Sequence, residues 1–105
     1  MRILGFDWDA VNIGKLAVHE LTPEDVEELF LDGRPCFAKH PQNQKRMLAL
    51  GFAPGERFVL VVFEYNQETR WVRVVTAYEP TSERWWKAYE RGIKSQEAAA
   101  GRHRR

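Results

Sequence analysis

The sequence predicts an α+β fold: an antiparallel β-sheet meander of four to five strands, with two helices before it and one helix after it. The strongest indication is RFVLVVFEY (57–65), an almost unbroken apolar run that is typical of a central strand buried on both faces. TRWVRVVTAY (69–78) alternates residue types as a strand does, and a short polar loop separates the two runs. Thr22-Pro23-Glu24-Asp25 is typical of a helix start, so a helix precedes these two strands in the chain.

The first third of the chain predicts one short strand and two helices. RILGF (2–6) forms the strand, and Asp7 or Asp9 can cap a helix that begins near Ala10. The second helix, 23–31, opens with a proline and two acids, which are favourable in a first turn. Its apolar residues fall on one face, so we expect it to pack against the sheet.

The rest of the chain predicts two further strands and a last helix. Residues 34–39 and 45–53 precede the two long strands, and the second of these segments ends at a Pro-Gly turn. Ser82 can cap a helix over 83–92, which Gly92 would end. Residues 1–92 are therefore expected to form a single domain, and residues 93–105 a basic, flexible tail.

Alternation and the aromatic residues predict which side chains face the core. Strict alternation places Trp71, Arg73, Val75 and Ala77 on one face of their strand and Arg70, Val72, Val74, Thr76 and Tyr78 on the other. Trp8 and Trp71 are expected in the core. Trp85 and Trp86 adjoin on the last helix, about 100° apart, so one can be buried while the other stays exposed. An exposed tryptophan would mark an interface with a partner or a second copy.

Composition excludes several classes of protein. The 105-residue chain has a formal net charge of +1, and its last twelve residues carry four cations against one acid, so the remainder is about −2. Such a body has no global attraction for nucleic acid, and RNA binding would need a local patch. The one cysteine, Cys36, excludes an internal disulfide. A signal peptide and an apolar run of about 20 residues are both absent, so we expect a cytoplasmic protein with no membrane association.

Five segments, in order, resemble the BrnT family, a group of type II toxin–antitoxin toxins with a RelE-like fold. They are FDWDAVNIGKLAVHELTPEDVEELF, KRMLALGFA, FVLVVFEY, VRVVTAYEP and the helix from Arg84 to Tyr89, together covering about residues 4–90. The chain departs from the family pattern at Tyr78, where the family has arginine, and at Lys45, where the family often has an acid. Lys15 also stands four residues before His19, whereas the family's lysine and histidine often adjoin.

The resemblance implies a RelE-like fold and a metal-independent ribonuclease that acts on RNA to inhibit translation. It also implies a cognate antitoxin, typically a small DNA-binding dimer. Metal-independent RNA cleavage needs a base for the 2′-hydroxyl proton, an acid for the leaving oxygen and cations for the developing phosphorane charge. The candidate catalytic residues are Lys15, His19, Arg46, Arg73 and Tyr78, and the candidate substrate-binding residues are Tyr89 and Arg70.

Each candidate also has a structural interpretation. At i and i+4, Lys15 and His19 would share one helix face, where like-charge repulsion favours a neutral imidazole; alternatively, His19 supports the next helix. Arg46 and Arg73 can bind phosphate through the rigid guanidinium fork, or each can pair with an acid of the protein. Tyr78 can donate a proton or stack on a base, or it packs where its strand leaves the sheet.

The sequence leaves two function classes open. The first is the BrnT-like ribonuclease toxin, and the alternative is a non-catalytic protein-interaction module that kept the RelE-like fold and lost nuclease activity. Three scattered histidines and one cysteine do not form a metal-binding pattern, so no metal and no cofactor are expected. Expected partners are RNA and an antitoxin for the toxin, and a second copy of the chain for the module.

Overall fold

The computed structural model describes residues 1–102 and confirms the α+β class, with three helices and a five-stranded sheet. Residues 103–105, the last three of the predicted basic tail, lie outside the described residues. The elements in chain order are β1 Gly5–Phe6, α1 Ala10–Val18, α2 Pro23–Asp32, β2 Cys36–Lys39, β3 Met47–Ala53, β4 Arg57–Asn66, β5 Trp71–Tyr78 and α3 Glu83–Arg102.

The sheet is mixed rather than a simple antiparallel meander. Its strand order is β1-β5-β4-β3-β2, and each neighbouring pair from β2 to β5 is antiparallel. The predicted first strand is shorter than expected and joins the edge of β5 in parallel, with Gly5 opposite Trp71. This pairing brings the beginning of the chain to the outer edge of β5, which matters for the partners of Arg73.

The first two helices begin at reciprocal caps. Asp9, one of the two predicted caps, accepts the N–H groups of Val11 and Asn12, while the Asn12 side chain accepts the N–H of Asp9. Thr22 caps α2 through the N–H of Asp25, whose carboxylate accepts the N–H of Thr22 in return. Such capping boxes satisfy backbone donors that a helix start otherwise leaves unpaired.

Apolar residues fill both faces of the sheet. Helices α1 and α2 cover one face, where the buried cluster is Leu16, Leu21, Val26, Leu29, Ala49, Ala53, Val59, Val61, Phe63, Val72, Val74 and Ala77. Helix α3 covers part of the other face, where the buried cluster is Cys36, Leu48, Leu50, Leu60, Val62 and Tyr89. The continuous apolar pattern of β4 is thus explained, because its residues contribute alternately to the two clusters.

A β-bulge overturns the predicted alternation along β5. Val74 lies opposite Phe63 and Thr76 opposite Val62, so Val75 has no partner in the register. The extra residue shifts the pattern, and Ala77 joins Val72 and Val74 under α1 and α2. Tyr78 packs against the cluster under α3 instead, so it lies on the opposite face of the sheet from Val72 and Val74.

The sequence predicted that the last helix ends at Gly92, and this prediction was wrong. The helix continues to Arg102, and a Cβ at position 92 would meet the Cys36 sulphur at 2.9 Å. The glycine therefore permits close packing of α3 on β2 and is not a terminator. Beyond it, Ile93 packs against the cluster under α3, and Glu97 lies 3.6 Å from Arg34. No helix within residues 1–102 combines the length and the apolar composition that crossing a bilayer requires.

Candidate functional site

Polar groups gather at opposite ends of β4 and β5. At the end where β5 finishes lies the His19 cluster, defined as His19, Arg57, Tyr78 and Glu79. At the end where β5 begins lies the Arg73 cluster, defined as Asp7, Asp9, Arg46, Glu64 and Arg73. The candidate catalytic residues other than Lys15 are divided between them, and Arg73 and Tyr78 are separated by about 15 Å at the rise of a β-strand.

The end of α1 positions His19 beside Tyr78. His19 caps the C-terminus of the helix, with its N–H bonded to the Leu16 carbonyl at 2.9 Å. Tyr78 is the last residue of β5 and lies opposite Leu60. The centroids of the His19 and Tyr78 rings are 5.8 Å apart, with the ring planes tilted by 46°. An imidazole and a phenol therefore lie side by side at a partly exposed edge of the sheet.

Arg57 adds a cation to this pair. Its guanidinium donates to the carbonyl oxygens of Glu20 at 2.8 Å and His19 at 3.1 Å, and to the Glu79 carboxylate at 3.3 Å. The hydrogen bond with Glu79 raises the pKa of the Arg57 guanidinium above its ordinary value, so the group stays charged. A cation is thus bonded to the carboxylate of Glu79, the residue after Tyr78, although residue 78 itself is not the arginine of the family pattern.

Sequence reasoning missed Arg57. The available signal was the tight turn at Pro54-Gly55, which makes Arg57 the first residue of β4 and pairs it with Ala53. Placing Arg57 near Tyr78 also requires the register between β4 and β5, and the bulge hides that register in the sequence. The carbonyl groups that hold the guanidinium come from the turn after α1, which no local pattern relates to β4.

Lys15 lies in the last turn of α1 and is exposed. Within the described part of the chain it forms no salt bridge. His19 is the residue that caps the helix, four positions after Lys15, so the predicted pair spans the end of α1. Lys15 therefore contributes positive charge near the end of α1, and the contacts of the imidazole are made with Tyr78.

Acids surround both arginines of the Arg73 cluster. The Arg73 guanidinium lies 2.7 Å from Asp9 and 3.4 Å from Asp7, and Glu64 is its opposite residue on β4. Arg46 lies 3.7 Å from Glu64, and its buried Nε makes no hydrogen bond within the described residues. The structural interpretation, pairing with acids of the protein, thus describes Arg73 as it stands in this structure.

The pairing of Arg73 with Asp9 changes the titration of both groups. The N–H of Asn12 and the Arg73 guanidinium hold the pKa of the Asp9 carboxyl below its ordinary value. The hydrogen bond with Asp9 also raises the pKa of the Arg73 guanidinium above its ordinary value. Asp9 thereby joins the cap of α1 to Arg73, the third residue of β5, through one carboxylate.

The buried side chain of Asn12 holds this region together through hydrogen bonds. Its side chain is 2% exposed, and its amide group donates to the carbonyl oxygens of Asp7 at 2.9 Å and Val74 at 3.1 Å. With the N–H of Asp9 that its oxygen accepts, the buried amide joins α1 to β5 and to the segment between β1 and α1. The asparagine of the resembling segment therefore has a structural role that the sequence did not reveal.

The two expected substrate-binding residues belong to neither cluster. Tyr89 is 5% exposed and donates its hydroxyl hydrogen bond to the Arg34 carbonyl at 2.8 Å. Burial raises the pKa of the Tyr89 phenol, and the ring is enclosed by aromatic neighbours under α3, so it has little surface to offer a substrate. Arg70 is an exposed turn residue with φ of 63°, and its carbonyl accepts the N–H of Leu4.

The tryptophans differ partly from expectation. Trp8 is partly buried, with its indole N–H donated to Glu27 at 2.8 Å, but Trp71 is 46% exposed and not in the core. On α3, Trp85 packs against the sheet while Trp86 is 40% exposed, as adjacent positions on a helix predict. Among the described residues, no group of three or more His, Cys, Asp or Glu side chains could hold a metal ion.

Comparison of the sequence with protein-family models and with curated proteins gave no match.

Proposed function

We propose that this chain is the toxin of a type II toxin–antitoxin pair, a cytoplasmic ribonuclease that cleaves RNA without a metal at the His19 cluster. The observation that carries the proposal is the contact between the His19 and Tyr78 rings, with the Arg57 guanidinium bonded to the His19 carbonyl and to the Glu79 carboxylate. These three groups supply the base, the acid and the cation that the reaction needs. The resemblance of five ordered segments supplies the choice of RNA as substrate.

The proposed step is attack of a ribose 2′-oxygen on the adjacent phosphorus. His19 accepts the proton of the 2′-hydroxyl as the new P–O bond forms, and Tyr78 donates a proton to the 5′-oxygen as the old P–O bond breaks. Arg57 stabilises the negative charge on the equatorial oxygens of the phosphorane. The products are a 2′,3′-cyclic phosphate and a 5′-hydroxyl, and no oxidant or reductant is needed.

The Arg73 cluster is less suited to this reaction. Three carboxylates, Asp7, Asp9 and Glu64, lie within or beside the reach of its two guanidinium groups. A phosphate entering there would have to displace these acids or lie against them, and like charges in contact oppose binding. In the His19 cluster one acid, Glu79, is paired with the cation, Asp25 and Glu20 act on it from farther away, and two of the cation's bonds go to neutral carbonyl groups.

The proposal includes a cognate antitoxin as partner. By the same resemblance, this partner would be a small DNA-binding dimer that covers the His19 cluster and blocks access of RNA. A neighbouring small reading frame that encodes such a protein supports this part of the proposal, and co-purification of its product with the chain tests it.

Cleavage of RNA by the purified full chain tests the function directly. In the presence of excess chelator, the unmodified protein should cleave single-stranded RNA to products ending in a 2′,3′-cyclic phosphate and arrest growth when expressed. His19→Ala should lower the cleavage rate by roughly 10²–10⁴-fold because the base is lost. His40→Ala is the matched control, since His40 lies in the loop before β3 and accepts only local backbone N–H groups. Absence of cleavage by the unmodified protein contradicts the proposal.

A second candidate function is a non-catalytic interaction module that forms homodimers. The observation that favours it is Trp86, which is 40% exposed and packs edge-on against Phe58 within an aromatic cluster on α3 and β4. Large exposed aromatic residues are enriched at the centres of interfaces. A dimer in solution that Trp86→Ala dissociates, combined with no RNA cleavage, supports the module over the ribonuclease.

A further inference from the structure

We infer that the groove at the beginning of β5 is a subsite for an unpaired nucleobase, with Trp71 as its stacking platform. This inference rests on the proposed function for its choice of RNA as ligand, and it assigns substrate binding to a place remote from the His19 cluster. The groove has a volume of about 820 Å³ and lies between the β4–β5 hairpin and the loop before β3.

Trp71 is held flat on one side and open on the other. A Cβ built on Gly5 would lie 2.8 Å from the indole atoms Cε2 and Cζ2, so the ring rests directly on the Gly5 backbone. The indole is nevertheless 46% exposed, and it lines the groove. Since Gly5 lies opposite Trp71 in the parallel pair of β1 and β5, the sheet itself fixes the ring. An aromatic face held in advance loses little conformational entropy when a base stacks on it.

The charges of the groove favour a base over a phosphate. Its charged lining consists of two cations, Lys45 and Arg73, and two acids, Asp7 and Glu64. Arg73 is occupied by Asp7 and Asp9, so little positive potential remains to hold a phosphate. Because the charges of the lining balance, the groove can hold a neutral, planar ligand without a net electrostatic penalty.

Amide groups around the groove can read the edge of a base. Gln44 and Gln67 are exposed and each carries donors and an acceptor, the combination that base edges match. Asn66 is more restricted, because its Oδ1 accepts the N–H groups of Glu68 and Thr69 and leaves the Nδ2 donors to face a ligand. These hydrogen bonds also shape the hairpin, so the rim beside Trp71 is defined by the fold.

The distance from the His19 cluster determines what the subsite would do. Trp71 and Tyr78 are seven residues apart on β5, about 20 Å at the rise of a strand. A base on Trp71 would therefore belong to a nucleotide well removed from the cleaved linkage. Losing the platform should weaken substrate binding and raise KM, while kcat for bound RNA stays the same.

Binding is tested with the full chain and a single-stranded oligoribonucleotide that carries 2′-O-methyl groups, which removes the nucleophile. Trp71→Ala should weaken binding on the order of tenfold, and Trp71→Phe, which keeps an aromatic face, should weaken it less. Gly5→Ala should act in the same direction as Trp71→Ala because the added methyl displaces the indole. Leu31→Ala is the control, an exposed apolar residue of α2 that does not line the groove and should leave affinity unchanged.

The outcomes separate this inference from the proposed function. Equal affinity of Trp71→Ala and the unmodified protein, or no binding by the unmodified protein, overturns the subsite, as does equal competition by fully paired duplex RNA. If RNA is still cleaved in either case, the ribonuclease stands without the subsite. If the methylated oligonucleotide binds in a Trp71-dependent way but unmodified RNA is never cleaved, the subsite stands and the ribonuclease falls.

Discussion

The two ends of β4 and β5 show opposite uses of arginine. At the beginning of β5, Arg73 lies between two carboxylates, and Arg46 approaches a third. At the end of β5, Arg57 has one carboxylate partner and is otherwise held by two backbone carbonyl oxygens. Both ends thus contain ordered guanidinium groups, but Arg73 is bonded by two carboxylates and Arg57 by one.

This difference indicates why strand position alone does not identify a phosphate-binding arginine. Acid-paired arginines join parts of the structure: Arg73 connects β5 to the segment that caps α1. Carbonyl groups orient a guanidinium without neutralising its charge, so at this end Glu79 is the one carboxylate that bonds Arg57. We therefore expect substitutions at the two ends to separate cleavage from stability.

Among the next three substitutions, we expect the largest effect for Tyr78→Phe, on the rate of RNA cleavage. Removing the hydroxyl deletes the proposed proton donor and should lower the rate of RNA cleavage by roughly 10²-fold, with the ring packing preserved. Tyr65→Phe is the matched control at the other end of the sheet, where the hydroxyl donates to the Arg2 carbonyl. Equal rates for Tyr78→Phe and the unmodified protein would remove Tyr78 from the mechanism.

Asn12→Ala should separate stability from the chemistry of the His19 cluster. The substitution leaves the buried carbonyl groups of Asp7 and Val74 without their donor, so the free energy of unfolding should fall by about 2 kcal/mol. Asn43→Ala, in the loop before β3, should change it by roughly 0.5 kcal/mol or less. Urea unfolding measures both, and a variant of position 12 as stable as the unmodified chain contradicts the assigned role.

The smallest expected effect concerns acid stability at the Arg73 cluster. Because the folded-state pKa of Asp9 is lowered, its contribution is fully present above the unfolded pKa of about 3.9 and is lost as pH falls through the folded pKa. Asp9→Asn keeps a capping oxygen but removes the ionisation, so the variant should lose less stability than the unmodified chain between pH values of about 5 and 2.

Urea midpoints across that pH range measure this difference. Asp32→Asn, at the C-terminus of α2, is the control that should keep the acid sensitivity of the unmodified chain. An identical acid response of Asp9→Asn and the unmodified chain would argue against the ion pair with Arg73.

Local sequence signals predicted much of the fold. The Thr22 cap and its proline marked the start of α2, and the apolar run of β4 marked the central strand, because each depends on residues adjacent in the chain. The bulge at Val75 escaped prediction, since alternation assumes an unbroken register. The continuation of α3 past Gly92 also escaped prediction, because the glycine permits close packing against Cys36, a residue 56 positions earlier.

The candidate site was less predictable than the fold. His19 and Tyr78 were named from the resemblance, but their contact depends on where α1 ends relative to β5. The acids of Arg73 were foreseen as alternatives, whereas Arg57 was missed because its partners come from a distant turn. Tertiary register decides which charges meet, and no local pattern encodes that register.

The most direct test of the account compares the single-turnover rates of RNA cleavage for Arg57→Gln and Arg73→Gln, with folding verified by thermal unfolding. Loss of Arg57 should lower the rate by about 10²-fold because the phosphorane charge loses its cation. Loss of Arg73 should change the rate by about threefold or less while lowering stability. The reverse order, with Arg73→Gln inactive and Arg57→Gln active, would contradict the placement of the chemistry at the His19 cluster.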